Sequence, residues 1–145
     1  DRVMGGRSDI SAVIGETEEG AVLQMSGTVT TENNGGFIQV RLPMAETGSF
    51  DASEYTGVFL TVRGKGESFY VWLRTDRTNR PWLHYSAELT VDEEWNRVEL
   101  PFVRFEGERR LQGTSVDMEA LRSVAVVAAE GNFEAAIQLL EIGFY

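Results

Sequence analysis

The amino-acid sequence predicts an all-β fold, an antiparallel β-sandwich with at most one short helix. Three observations carry that expectation. Apolar residues recur mainly at every second position, the spacing of strands with one face turned inward. The runs are short, and about eight to ten of them fit along the chain. Glycine is plentiful between them while proline occurs only at Pro43, Pro81 and Pro101, with no repeat, linker or low-complexity tract.

Taken in order, residues 10–14, 21–29 and 37–42 read as strands. Before the third lies "TTENNGG", where Asn33, Asn34, Gly35 and Gly36 tolerate positive φ and suit a reversal between Val29 and Phe37. In residues 58–63, Val58, Leu60 and Val62 face one way while Phe59, Thr61 and Arg63 face the other. "GKGE" follows as a turn, and residues 69–74 return with Phe69, Val71 and Leu73 opposite Tyr70, Trp72 and Arg74. This pattern predicts a hairpin, with Arg63 on the matching face of its partner strand.

Residues 82–89 read as the next strand, 91–94 as an acidic turn, and 97–102 as a strand with Val98, Leu100 and Phe102 inward. Pro101 cannot donate to a ladder, so it marks an edge strand or a strand end. Residues 123–129 are apolar on both faces, as in a fully buried strand. "SVDMEALRS" has the pattern of a short helix capped by Ser115. The C-terminal segment stays ambiguous. Ala136, Ile137 and Leu140 have helical spacing, whereas Phe133, Ala135, Ile137 and Leu139 alternate. Periodicity slightly favours a helix, and a strand with a bulge near Leu139 and Leu140 explains the change of phase equally well.

The 145 residues are expected to form one domain spanning 1–145. The net charge of −10 and a pI near 4.6 argue against nucleic acid and anionic membranes, which recruit basic surfaces. With no cysteine, disulfides, thiolate metal sites and a cysteine nucleophile are excluded. No apolar run approaches a membrane span. The chain opens at Asp1 rather than at methionine, so upstream residues or a leader trimmed away are compatible with it, and the compartment stays open with the cytoplasm as expectation. Among the thirteen basic residues only Lys65 is lysine. Most cationic positions therefore carry a planar fork of donors.

Four segments, "DRVMGGRSD", "ENNGGFIQVRL", "YTGVFLTVRGKGESFYVWLRT" and "EWNRVELPFVRF", occur in order over nearly the whole chain. Together they resemble the complex I intermediate-associated protein family, assembly factors of respiratory NADH dehydrogenase with bacterial members. The resemblance implies a jelly-roll sandwich of the galactose-binding type, a fold shared with carbohydrate-binding modules. It also implies a strand at the C-terminus and a protein partner, but the sandwich itself hosts many unrelated functions.

Several candidate sites stand beside plainer readings. The Asn33–Asn34 loop offers close backbone approach to a ligand, yet it lacks the lysine and hydroxyl of a P-loop, so turn chemistry explains it better. Asp1, Arg2, Arg7 and Asp9 read first as ion pairs pinning the N-terminal segment. The outward face is the most informative feature. Tyr70, Trp72 and Arg74, with Arg63, Trp82, His84 and Arg41, make an expected solvent-facing strip of aromatics and guanidiniums suited to a sugar or a protein surface. The plainer reading covers Trp72 and Trp82 as a secondary core.

His84 is the sole histidine, without a nucleophile elbow or a second ligand near it, so neither a serine triad nor a metal site is expected. Asp92, Glu93 and Glu94 are contiguous and diverge, as in a solvated turn rather than a calcium site. With 23 acidic residues, some carboxylate pair will match glycosidase spacing by chance. The expected function is therefore non-catalytic and cofactor-free: a binding domain for a protein partner, with a carbohydrate-binding module as the alternative and a hydrolase third.

Overall fold

Alternation along each strand becomes two layers in the fold. The computed structural model describes residues 9–17, 20–29, 37–43, 49–76, 84–107, 118–129, 131 and 133–145. Among these, ten strands form two five-stranded sheets whose pairings are all antiparallel. The first sheet contains β1 (Asp9–Thr17), β2 (Gly20–Val29), β10 (Phe133–Phe144), β4 (Gly57–Lys65) and β7 (Asn96–Pro101), side by side in that order. The second runs β3 (Phe37–Pro43), β9 (Leu121–Ala129), β5 (Phe69–Thr75), β6 (Tyr85–Leu89) and β8 (Glu106–Gly107).

The core lies between them. Val58, Leu60, Val62, Leu100 and Ile137 from the first sheet meet Ile38, Val71, Leu73, Tyr85 and Val124 from the second, all buried. Each such aliphatic side chain contributes about 1.5–3 kcal/mol on transfer from water. As expected, Phe69, Val71 and Leu73 face this core, and so do Leu100, Phe102 and the partly buried Val98.

The C-terminal segment is a strand. β10 lies between β2 and β4, and its register with β4 shifts between Leu139 and Glu141, a bulge that accommodates Leu140. Two flanking strands satisfy its backbone on both sides, which outweighs the helical spacing of its apolar residues. Met118–Ala120 forms a 3-10 turn running directly into β9, and Ser115, the expected cap, lies outside the described residues. Pro101 closes β7, an edge strand, so both readings of it hold. β9 is central, with every residue from Ser123 to Ala129 buried. Its amides should exchange with deuterium most slowly, and those of β8 and β1 much faster. Fast exchange across β9 would contradict this layering.

One expectation is corrected. β4 and β5 do not form a hairpin: β4 pairs with β10 and β7, whereas β5 pairs with β9 and β6. The short connection at residues 66–68 carries the chain from one sheet to the other, across the roughly 10 Å between packed layers. Gly66 makes this corner with φ +150°, a value that side chains rarely adopt. Arg63 therefore belongs to the first sheet and Tyr70, Trp72 and Arg74 to the second. Strand periodicity tells which residues share a face, and it carries no information about which strand lies next door.

The "TTENNGG" segment, residues 30–36 with Asn33 and Asn34, lies outside the described residues, as do Asp1, Arg2, Arg7 and Trp82. Its flanking strands are in different sheets, so β2 and β3 are not joined as a paired hairpin.

Candidate binding face

Residues opposite one another in an antiparallel ladder share a face, so the registers of the second sheet define its outer surface rung by rung. One rung runs Gln39, Val127, Tyr70 and Glu88. The next runs Arg41, Ala125, Trp72, Ser86 and Glu106. Ser123 and Arg74 begin the third. The floor along β9 is thus Ser123, Ala125 and Val127, all small, flanked by long side chains of β3 on one side and β5 on the other. The expected alternation of Tyr70, Trp72 and Arg74 away from the main core is correct, and Arg41 and His84 join them on this face.

Their expected exposure is not. Trp72 and His84 are each 7% exposed and Arg74 only 5%. Trp72 packs with Ala125, Val127 and Ala129 in a small second core, with Tyr70 half-buried against it. The His84 imidazole stacks on the indole, with ring centroids 3.8 Å apart and planes 13° from parallel. The Arg74 guanidinium lies 5.7 Å from the same ring. Burying the Trp72 ring removes apolar area from water, so the plainer secondary-core reading describes it best. What remains accessible on these rungs is the exposed Arg41, with Gln39, Tyr70 and Ser86 half-buried, and the exposed Glu88 and Glu106 towards the far edge.

Arg74 reaches diagonally over β9, and its Nη1 donates to Oε1 of Gln39 at 3.4 Å. Burial, and then the positive charge of Arg41, pull its pKa down to about 10. That shift shows that the two guanidiniums sense each other across the alanine floor. Gln39, Ala125 and Val127 were not singled out from the sequence. The available signal was the run of small residues on one face of residues 123–129, which reads equally well as a strand buried on both sides.

Arg63 sits elsewhere. Its guanidinium lies 4.5 Å from the Trp95 ring centroid and its Nε donates to Gln138 Oε1, on the outer face of the first sheet. A shallow groove of about 260 Å³ adjoins it, between β2, β10 and β4. Lys65 pairs with Glu93 at 3.2 Å on its rim. The acidic turn is a hydrogen-bonded Asx turn: Asp92 Oδ1 accepts from the Glu94 backbone N–H at 2.9 Å and from Asn96 Nδ2 at 2.8 Å. Among the described residues, no three carboxylate or histidine side chains converge as metal ligands would. No helix among them is long and apolar enough to cross a membrane.

Residues 1–139 match the family Complex I intermediate-associated protein 30 (CIA30). The chain belongs to the CIA30 family. Among curated proteins no sequence relative matches. Solved structures share its fold. The CIA30 chain is similar to the family 11 carbohydrate-binding module of a cellulosomal cellulase of Clostridium thermocellum, with 17% identity, 93% of this chain and 83% of that one covered, and a TM-score of 0.71. A family 11 module from the same organism, in complex with a β-1,3-1,4-mixed-linked tetrasaccharide, gives 17% identity, 93% and 84% coverage and a TM-score of 0.67. A family 30 carbohydrate-binding module of another cellulosomal cellulase of that organism gives 15%, 93% and 82%, and 0.68. At such identities the likeness establishes a shared β-sandwich and nothing about ligands.

Proposed function

We propose that this CIA30-family chain is a non-catalytic binding domain that holds a protein partner on the outer face of its second sheet, during assembly of a membrane-bound respiratory complex. Family membership supports the class of partner. The observation that carries the choice of a protein over a sugar is the stacking of Trp72 on His84. A sugar-binding surface relies on an open aromatic ring for the pyranose to lie on. Here the indole is already covered, and the face offers a guanidinium, an amide and the edge of Tyr70 instead. Affinity capture from a lysate of the source organism in mild detergent should recover a respiratory subunit. Recovery of none would remove this reading.

A second reading, a carbohydrate-binding module, is favoured by one observation: Tyr70 is half-buried beside the β9 floor of a sandwich like that of the family 11 and family 30 modules. A glycan array decides between them. The protein-holding reading expects no glycan bound by the wild type. A glycan retained by the wild type and lost in Tyr70→Ala, with the unfolding temperature preserved, would replace it.

A further inference from the structure

Arg41 differs from the other arginines of the two sheets. Arg63 is engaged with Gln138 and Trp95, Arg97 with Glu99 and the Phe59 ring, Arg122 with Asp76, and Arg74 with Gln39 and Trp72. Arg41 is exposed, and among the described residues no carboxylate pairs with it. It also stands on the same face as a second, buried guanidinium. Arg74 starts two strands away and stretches towards it over the floor to Gln39, which lies two residues from Arg41 on β3. Like charges brought together on a poorly hydrated surface raise the energy of the unliganded protein, and an anion placed beside them lowers it.

The carboxylates on this face do not fill that role. Glu88 and Glu106 belong to β6 and β8, at least three strand spacings from β3. That is about 14 Å or more, beyond the Debye length of about 8 Å at physiological ionic strength. Their effect at Arg41 is therefore largely screened.

We infer that the partner presents a carboxylate to this face: an aspartate or glutamate side chain of an extended segment lying along β9, bound by the Arg41 guanidinium, with Arg74 as a second positive charge behind it. This rests on the protein-holding reading and specifies what is held. A planar guanidinium takes a carboxylate through two parallel hydrogen bonds, which fixes orientation as well as affinity. The small Ala125 and Val127 side chains let a backbone approach between the β3 and β5 walls. A uronic acid carries the same carboxylate, but its ring would find the neighbouring indole already stacked. The domain's own charge of −10 opposes an acidic partner at long range, so recognition comes from this local pair of cations.

The test is an NMR titration of the arginine Nε–Hε signals of the whole chain with a capped, glycine- and serine-flanked peptide bearing one central glutamate, and with its glutamine counterpart. The glutamate peptide should shift the Arg41 and Arg74 signals and the glutamine peptide should not. Arg41→Gln should weaken binding by at least about tenfold. It should leave the unfolding temperature unchanged or slightly raised, because it removes a like charge from beside Arg74. Absence of shifts at millimolar glutamate peptide, equal shifts with both peptides, or equal binding by Arg41→Gln would overturn the inference. So would binding of polygalacturonate through Arg41 with no response to the peptide. If lysate capture recovers the same subunit with wild type and Arg41→Gln alike, the carboxylate site fails while the holding function stands. If wild type captures none, the reading beneath it has failed.

Discussion

Trp72→Ala should destabilise the domain by about 3–5 kcal/mol, the usual loss for a buried aromatic truncated to alanine. At this chain length the unfolding temperature should fall by roughly 10 °C or more. The indole is 7% exposed, lies on Ala125, Val127 and Ala129, and carries His84 on its face. Removing it opens a cavity over a floor of small side chains that cannot grow to fill the space, and it leaves the imidazole without its stacking partner. Differential scanning calorimetry of the two proteins checks this. An unfolding temperature within about 2 °C of the wild type would show Trp72 to be a surface residue, since exposed substitutions typically change stability by no more than about 0.5 kcal/mol. The second core on the sandwich face would then be wrong, and an open sugar platform would return to consideration.

Gly66→Val should cost several kcal/mol for a different reason. Gly66 has φ +150°, and a Cβ there would stand 2.7 Å from Phe69 Cζ and 3.0 Å from Phe133 Cε2. A β-branched residue held in such a backbone region is strained by about 1–3 kcal/mol. Crowding the two rings, which meet edge-on at 6.4 Å between centroids, adds about 1–3 kcal/mol more. Gly15→Ala is the control: a Cβ at Gly15 meets nothing within 4 Å and its φ is ordinary. Urea unfolding should show a large drop in midpoint for Gly66→Val and little change for the control. Equal stability of Gly66→Val and wild type would mean that the chain does not turn from one sheet to the other at this corner.

Much of the architecture could be read from residues near one another in the chain. The alternation of Val58, Leu60 and Val62, and of Phe69, Val71 and Leu73, located the core faces correctly because a strand's side chains point to opposite sides whatever its neighbours are. The phase change at Leu139 and Leu140 marked the bulge in β10, although periodicity alone left helix and strand both open. The candidate face was read less completely. Tyr70, Trp72, Arg74, His84 and Arg41 do share one surface of the second sheet, but Arg63 was assigned to it only through a hairpin that does not exist. Gln39, which Arg74 reaches, was passed over because nothing in a lone glutamine announces a partner 35 positions away.

Composition and local pattern decided the class of fold, the family, the inward face of each strand and the absence of any cysteine chemistry. Each of these depends on side-chain identity and short-range geometry. Tertiary structure decided which strands pair, that β4 and β5 part into different sheets, and that Trp72 and Arg74 are buried while Arg41 is exposed. Those outcomes depend on contacts between distant segments, where burying one more aromatic ring contributes as much as a whole strand's intrinsic preference. Period-two alternation is the same for a strand on an open face and for one covered by its neighbours, so exposure had to await the packed molecule.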